Sequence, residues 1–142
     1  ETYGTIRQPI LPEFGFQDDF INNVVQGIDA LNFESLQEVV ATVKPNIVIN
    51  CIGVVKQLEI SNDPLVSIPI NSILPHMLTK ICQTNAARLI HFSTDCVFTG
   101  RKGNYTEKDI PDAEDLYGRS KILGELEYPN TVTLRKIGRA HV

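Results

Sequence analysis

Tyr117-Gly118-Arg119-Ser120-Lys121 sets a phenol and an ammonium four residues apart, and on a helix that spacing brings them to one face, a turn apart. A free tyrosine titrates near pH ~10, and a neighbouring cation favours its phenolate, which carries the group toward working pH as a proton donor or acceptor. Lys121 can supply that cation, although the same pair also suits a plain solvent-facing helix. Ser93-Thr94-Asp95 follows Leu89 to Phe92, which reads as a strand. Hydroxyls in that position lie at the carboxyl edge of a sheet, where a substrate oxygen can be held. By itself such a triplet is also a common turn or helix cap.

The elements that must position these groups alternate along the chain. Glu1 to Arg7 reads as the end of a strand and its turn, followed by a loop with Pro9, Pro12 and Gly15 and a short strand within Ile21 to Ile28 that ends in Asp29. Asn32 caps a helix whose Leu36, Val39, Val40 and Val43 form one apolar stripe, and Pro45 stops it. Ile47-Val48-Ile49 is a short apolar run of the kind buried on both faces of a parallel sheet. A second helix opens at Asp63-Pro64 and runs toward Asn85, with Pro69 and Pro75 bending or restarting it. A third helix spans about Asp115 to Glu127, and Thr131 to Leu134 forms a last strand. Strand and helix in alternation give parallel, right-handed crossovers, hence a Rossmann-like, doubly wound α/β sheet. Ligands of such sheets bind beyond the carboxyl ends of the strands, which singles out Asp29, Asn50 to Val54, Ser93 to Phe98 and Arg135.

Composition narrows the class. The chain has 142 residues, 42% hydrophobic and 21% charged, which excludes disordered, collagen-like and coiled-coil sequences. A formal charge of −4, from 13 basic and 17 acidic residues, argues against nucleic-acid binding through a basic surface. No uninterrupted apolar run reaches the ~18 residues of a membrane span, and the first residues have no leader pattern. A cytoplasmic protein with no membrane partner is therefore expected. Cys51, Cys82 and Cys96 have neither a Cys-x-x-Cys pair nor a histidine at ligand spacing, so reduced, buried thiols and no metal site are expected. His91 reads as a core residue within its strand.

Taken together, His91-Phe92-Ser93-Thr94-Asp95-Cys96-Val97-Phe98-Thr99-Gly100, Tyr105-Thr106-Glu107, Pro111, Tyr117-Gly118-Arg119-Ser120-Lys121 and Gly124-Glu125 carry a resemblance. From about Asp29 to Arg135 the sequence resembles the extended short-chain dehydrogenase/reductase superfamily and, within it, the dTDP-4-dehydrorhamnose reductase group. The resemblance implies that Tyr117 gives a proton to a ketone and that Lys121 lowers its pKa and holds a nicotinamide ribose. It further implies that Thr94, with Ser93, orients the carbonyl oxygen, with hydride from NAD(P)H. Asn50-Cys51-Ile52-Gly53 and Asn71 look like cofactor-side positions of that family. Pro75 has no N–H, so the carbonyl of Asn71 is left out of the helix ladder and is open to a water near Lys121. Asp29 corresponds to a position near the adenine, and Arg7 suits a 2′-phosphate, which leans the cofactor toward NADPH. Lys56 to Asn62 and Val97 to Gly103 are expected to border the substrate. Cys96 departs from the family, which has Tyr there in the reductases and a catalytic Glu in sugar dehydratases. The missing Glu disfavours a dehydratase.

No Gly-x-Gly-x-x-Gly or Gly-x-x-Gly-x-x-Gly occurs among the nine glycines. The reading is therefore a partial NAD(P)-binding domain over residues 1–136, without the first strand and the C-terminal substrate part, followed by an adapter-like tail at 137–142. Such a piece is expected to be neither stably folded nor active alone. The favoured function of the parent is NAD(P)H-dependent reduction of a nucleotide-linked 4-keto-6-deoxy sugar, in dTDP-rhamnose or polysaccharide synthesis. A nucleotide-sugar epimerase using the same Tyr117, Lys121 and Thr94 is the alternative, as is a non-catalytic NAD(P)-binding regulatory subunit, and a homodimer is left open.

Overall fold

The computed structural model describes residues 1–10 and 21–137, so the turn with Pro12 and Gly15 and all but the first residue of the 137–142 tail lie outside the described residues. Among the described residues, five parallel strands form two sheets. Strand β1 (Gly4–Ile6) pairs with β2 (Val24–Gln26), and β3 (Ile47–Asn50), β4 (Arg88–Thr94) and β5 (Thr131–Lys136) form the second sheet in that order. This is the Rossmann-like α/β arrangement. The strand expected within Ile21 to Ile28 is only three residues long, and Ile28 instead packs against the hydrophobic core.

Helix α1 (Phe33–Val43) forms where its signals stand. The Asn32 side chain accepts from the Ser35 N–H at 3.1 Å, Leu36 and Val40 are buried, and Lys44 closes the end in a left-handed conformation just before Pro45. Asp63 caps α2 (Pro64–Ser67) by accepting from Leu65 N–H at 2.9 Å. Pro69 then lies in a wide π-type turn, Ile68–Ile73, and Pro75 stands at the start of α3 (Leu74–Thr84). The stretch Pro64–Thr84 has the length and the mean hydropathy, 1.2, of a short membrane span, but half of it is buried inside the fold. Its Leu74, Leu78, Ile81 and Cys82 join Leu36, Val40, Leu89 and Leu126 in one core. Helix α4 (Leu116–Leu123) ends at Gly124, short of the expected Glu127.

Two expectations fail. Ile47 and Ile49 are 51% and 58% exposed rather than buried on both faces, because among the described residues β3 has a neighbour only on its β4 side. The cysteines are free but not uniformly buried: Cys51, just past β3, is exposed, Cys96 is half-buried and Cys82 is buried. Burial pushes the Cys82 thiol up to about 11. Lys136 lies within β5, opposite Thr94, so the strand runs two residues beyond its expected end.

Candidate active site

Strand β4 delivers Thr94 to the carboxyl edge of the sheet, and α4 delivers Tyr117 and Lys121 beside it. The helix starts where it does because Asp115 caps it, its carboxylate accepting from Gly118 N–H at 2.7 Å. Tyr117 is 9% exposed and Lys121 5%. The Lys121 ammonium donates to the Phe92 carbonyl at 2.8 Å, two residues before Thr94. The Thr94 hydroxyl donates to Asp95 at 3.1 Å and accepts from Cys96 N–H at 3.1 Å, so it also caps the turn that follows. Ser93 is brought to the same strand end but not to the phenol. As the neighbour of Thr94 in a strand it points to the opposite face, and its buried hydroxyl has no partner among the described residues.

Burial is the largest influence on Tyr117 and raises its pKa. The Thr94 hydroxyl beside it pulls the other way, Cys96 and Asp95 raise it, and Lys56 lowers it. Burial likewise lowers the pKa of Lys121, opposed by Glu125. Lys56, from the segment after β3, has the smallest of these influences, and the Lys121 ammonium is turned to the strand.

The cofactor-side positions converge from β3 and the π-type turn. Asn50 is 2% exposed, its side-chain oxygen accepting from Ile52 N–H at 3.0 Å and its amide meeting His91 Nδ1 at 3.1 Å. Cys51, Ile52 and Gly53 follow it at the surface. A side chain at Gly53 would lie 3.3 Å from the Asn71 side chain and 3.8 Å from the Lys121 ammonium, so these three residues share one corner. Asn71 is fully buried and acts through its side chain: it accepts from Val54 N–H at 2.9 Å and donates to the Val54 carbonyl at 3.2 Å and to the Ser120 hydroxyl at 3.1 Å. Its backbone carbonyl is packed against Gly124, where any Cβ would fall on the carbonyl oxygen. Gly118 is similarly constrained, since a Cβ there would lie 2.6 Å from the Cys96 carbonyl oxygen.

Arg7 and Asp29 stand beyond β1 and β2 and pair with each other at 3.3 Å. Asp29 also accepts from Leu31 N–H at 2.9 Å, and an open depression lined by Asp29, Leu31, Asn32 and Phe33 lies beside the pair. Lys56, Cys96, Phe98, Arg101 and Asp115 line a cavity of about 330 Å³, which joins the two segments expected to border a substrate. Phe98 stacks on Tyr105 at 4.3 Å, and the Arg135 guanidinium lies over the Phe98 ring at 5.1 Å while holding Glu125 in a two-pronged ion pair. Sequence reasoning missed the Asn71 side-chain clamp and the pairing of Lys56 with Asp115. Both join residues far apart in the chain and leave no local pattern.

The chain is 33% identical over 99 residues to the "Probable low-salt glycan biosynthesis reductase" of Haloferax volcanii, covering 69% of this chain and 33% of that protein. It is 29% identical over 98 residues to methionine adenosyltransferase 2 subunit beta of Rattus norvegicus, covering 69% of this chain and 29% of that one. The chain thus spans about a third of the length of the curated relatives it matches. Among solved structures, dTDP-4-dehydrorhamnose reductase of Bacillus anthracis in complex with NADP shares the fold with a TM-score of 0.73 at 22% identity, over 96% of this chain and 54% of that one. The family model described as RmlD substrate binding domain matches residues 13–136. With that match covering most of its length, the chain belongs to the RmlD substrate-binding-domain family.

Proposed function

We propose that the protein reduces the carbonyl of a nucleotide-linked 4-keto-6-deoxy sugar with NAD(P)H, Tyr117 donating the proton. One observation carries this reading. A buried phenol stands beside the Thr94 hydroxyl at a strand end, with the Lys121 ammonium one turn along its helix. The phenol, held neutral by burial, is in the protonation state a proton donor needs. In the proposed reaction the Thr94 hydroxyl holds the substrate oxygen and Tyr117 protonates it as it becomes an alcohol.

The residues present fit the two ends of a dinucleotide. Gly53, Asn71 and Lys121 share the corner where a nicotinamide ribose would be held, and the depression beside Asp29 is open to an adenine. The chemistry a bound NADPH supplies is a hydride to the carbonyl carbon. Arg7 supports a leaning toward NADPH, although it must leave Asp29 to meet a 2′-phosphate. The relatives named as a glycan biosynthesis reductase and a dTDP-4-dehydrorhamnose reductase support the substrate class. The relative named as a subunit of methionine adenosyltransferase favours a second reading, a nicotinamide-binding subunit without turnover of its own.

The test is cofactor consumption by the whole protein with a nucleotide-linked 4-keto-6-deoxy sugar, NADPH and NADH in parallel, and product analysis to separate reduction from epimerisation. Tyr117→Phe is expected to lower turnover by about a hundredfold or more, the usual range for a lost general acid. A folded wild-type protein that binds NADPH and consumes none would overturn the reductase reading and leave the subunit reading.

A further inference from the structure

The chain leaves the carboxyl end of β3 with Cys51, Ile52 and Gly53 all exposed, so polar contacts at the two ends of this stretch, rather than packing, hold it. At the far end the Asn71 side chain grips both the N–H and the carbonyl of Val54. At the near end the Asn50 side-chain oxygen accepts from Ile52 N–H at 3.0 Å. A backbone N–H can only donate, so this bond fixes which way round the Asn50 amide sits and turns its NH2 to His91, 3.1 Å away. The His91 Nδ1 must therefore accept, which leaves the proton of the neutral ring on Nε2. Burial, with Lys121 nearby, keeps the ring in that neutral form. Asn50 and His91 are partners in the β3–β4 register and are 2% and 0% exposed, so water does not compete for either group.

We propose that His91 is a positioning residue for the nicotinamide cofactor: by accepting from Asn50 it locks that amide onto Ile52 and so presets the Cys51–Gly53 backbone beside Lys121. The proposal deepens the cofactor part of the reading above and rests on it. Gly53 is where this backbone meets the corner, since a side chain there would lie 3.3 Å from the Asn71 side-chain oxygen and 3.8 Å from the Lys121 ammonium. Without an acceptor at position 91 the Asn50 NH2 is stranded in a buried site. Nothing then fixes the amide the right way round, and its oxygen no longer stays on Ile52. The three exposed residues would be ordered only as the cofactor binds, and that entropy is subtracted from its affinity.

The test is the NADPH affinity of the whole protein, read by fluorescence titration, together with amide hydrogen exchange at Ile52 and Val54 in the free protein. His91→Phe keeps a ring but has no acceptor, whereas His91→Asn sets an oxygen near the place of Nδ1 and leaves a larger void. His91→Phe is expected to weaken NADPH binding about tenfold or more, the weight of one lost hydrogen bond, and to speed exchange at Ile52 but not at Val54. His91→Asn is expected to stay within about threefold of the wild type. A merely structural, space-filling role gives the reverse order, with His91→Asn the weaker binder. That order, or no difference between the two variants, overturns the proposal. Should His91→Phe fail to fold, the ring-nitrogen chemical shifts of the wild-type His91 decide: a bare Nδ1 with Nε2–H supports the proposal, and a protonated Nδ1 overturns it. Affinity lost in His91→Phe alone, in a protein that reduces no sugar, would retain the role of His91 and discard the reductase reading. Sugar reduction with equal NADPH affinity in both variants would do the reverse.

Discussion

His91 shows how far one residue can be read. Its place in a strand identifies it as a core histidine, and it is fully buried in the structure. Its surroundings are not local: Nδ1 meets the Asn50 amide, Nε2 is buried without a partner among the described residues, and burial with nearby Lys121 brings its pKa down from 6.5 to about 4. A folded-state pKa below the unfolded one means that the unfolded chain takes up the proton first as pH falls. Stability is then complete above pH 6.5 and is lost as pH drops toward 4, by up to about 3 kcal/mol. Denaturation of the whole protein across that window is expected to show this loss, and His91→Gln to flatten it; equal slopes in both would refute the assignment. That Thr94 and Tyr117 stand together was legible from their types and spacing. The pairing of Lys56 with Asp115 was not, because it joins residues 59 positions apart in the sequence.

At the scale of elements, legibility follows the locality of the signal. Helix α1 was readable from Asn32, its apolar stripe and Pro45, all within a dozen residues. The restart at Pro75 was readable for the same reason. The use made of the π-type turn was not. Sequence directs attention to the Asn71 carbonyl, whereas the structure engages the Asn71 side chain as a clamp on Val54 and Ser120. The turn and α4 are also joined by Ser72, whose hydroxyl donates to the Ser120 carbonyl at 2.8 Å. Asn71→Ala strands the buried Val54 N–H and carbonyl and is expected to cost about 3 kcal/mol, given ~1 to 3 kcal/mol for a buried polar group left unpaired. Chemical denaturation of the whole protein measures this, and a loss below about 1 kcal/mol would show that the clamp is replaceable.

For the whole molecule, the alternation of strands and helices was enough to give the parallel α/β class, but not the burial of each strand, which depends on neighbours. Among the described residues, sheets β1–β2 and β3–β4–β5 are not hydrogen-bonded to each other, and Ile47 and Ile49 are exposed. The 142-residue chain by itself is therefore expected to melt without a sharp cooperative transition, as followed by calorimetry or near-ultraviolet dichroism; a sharp two-state melt would refute this. The close approach of Gly124 to the Asn71 carbonyl reaches further. In a deep mutational survey scored by growth, position 124 would be as intolerant as Tyr117 without touching a reactant. Intolerance at 124 would record the distance between two backbones, and at 117, in the proposed reaction, a proton in transit.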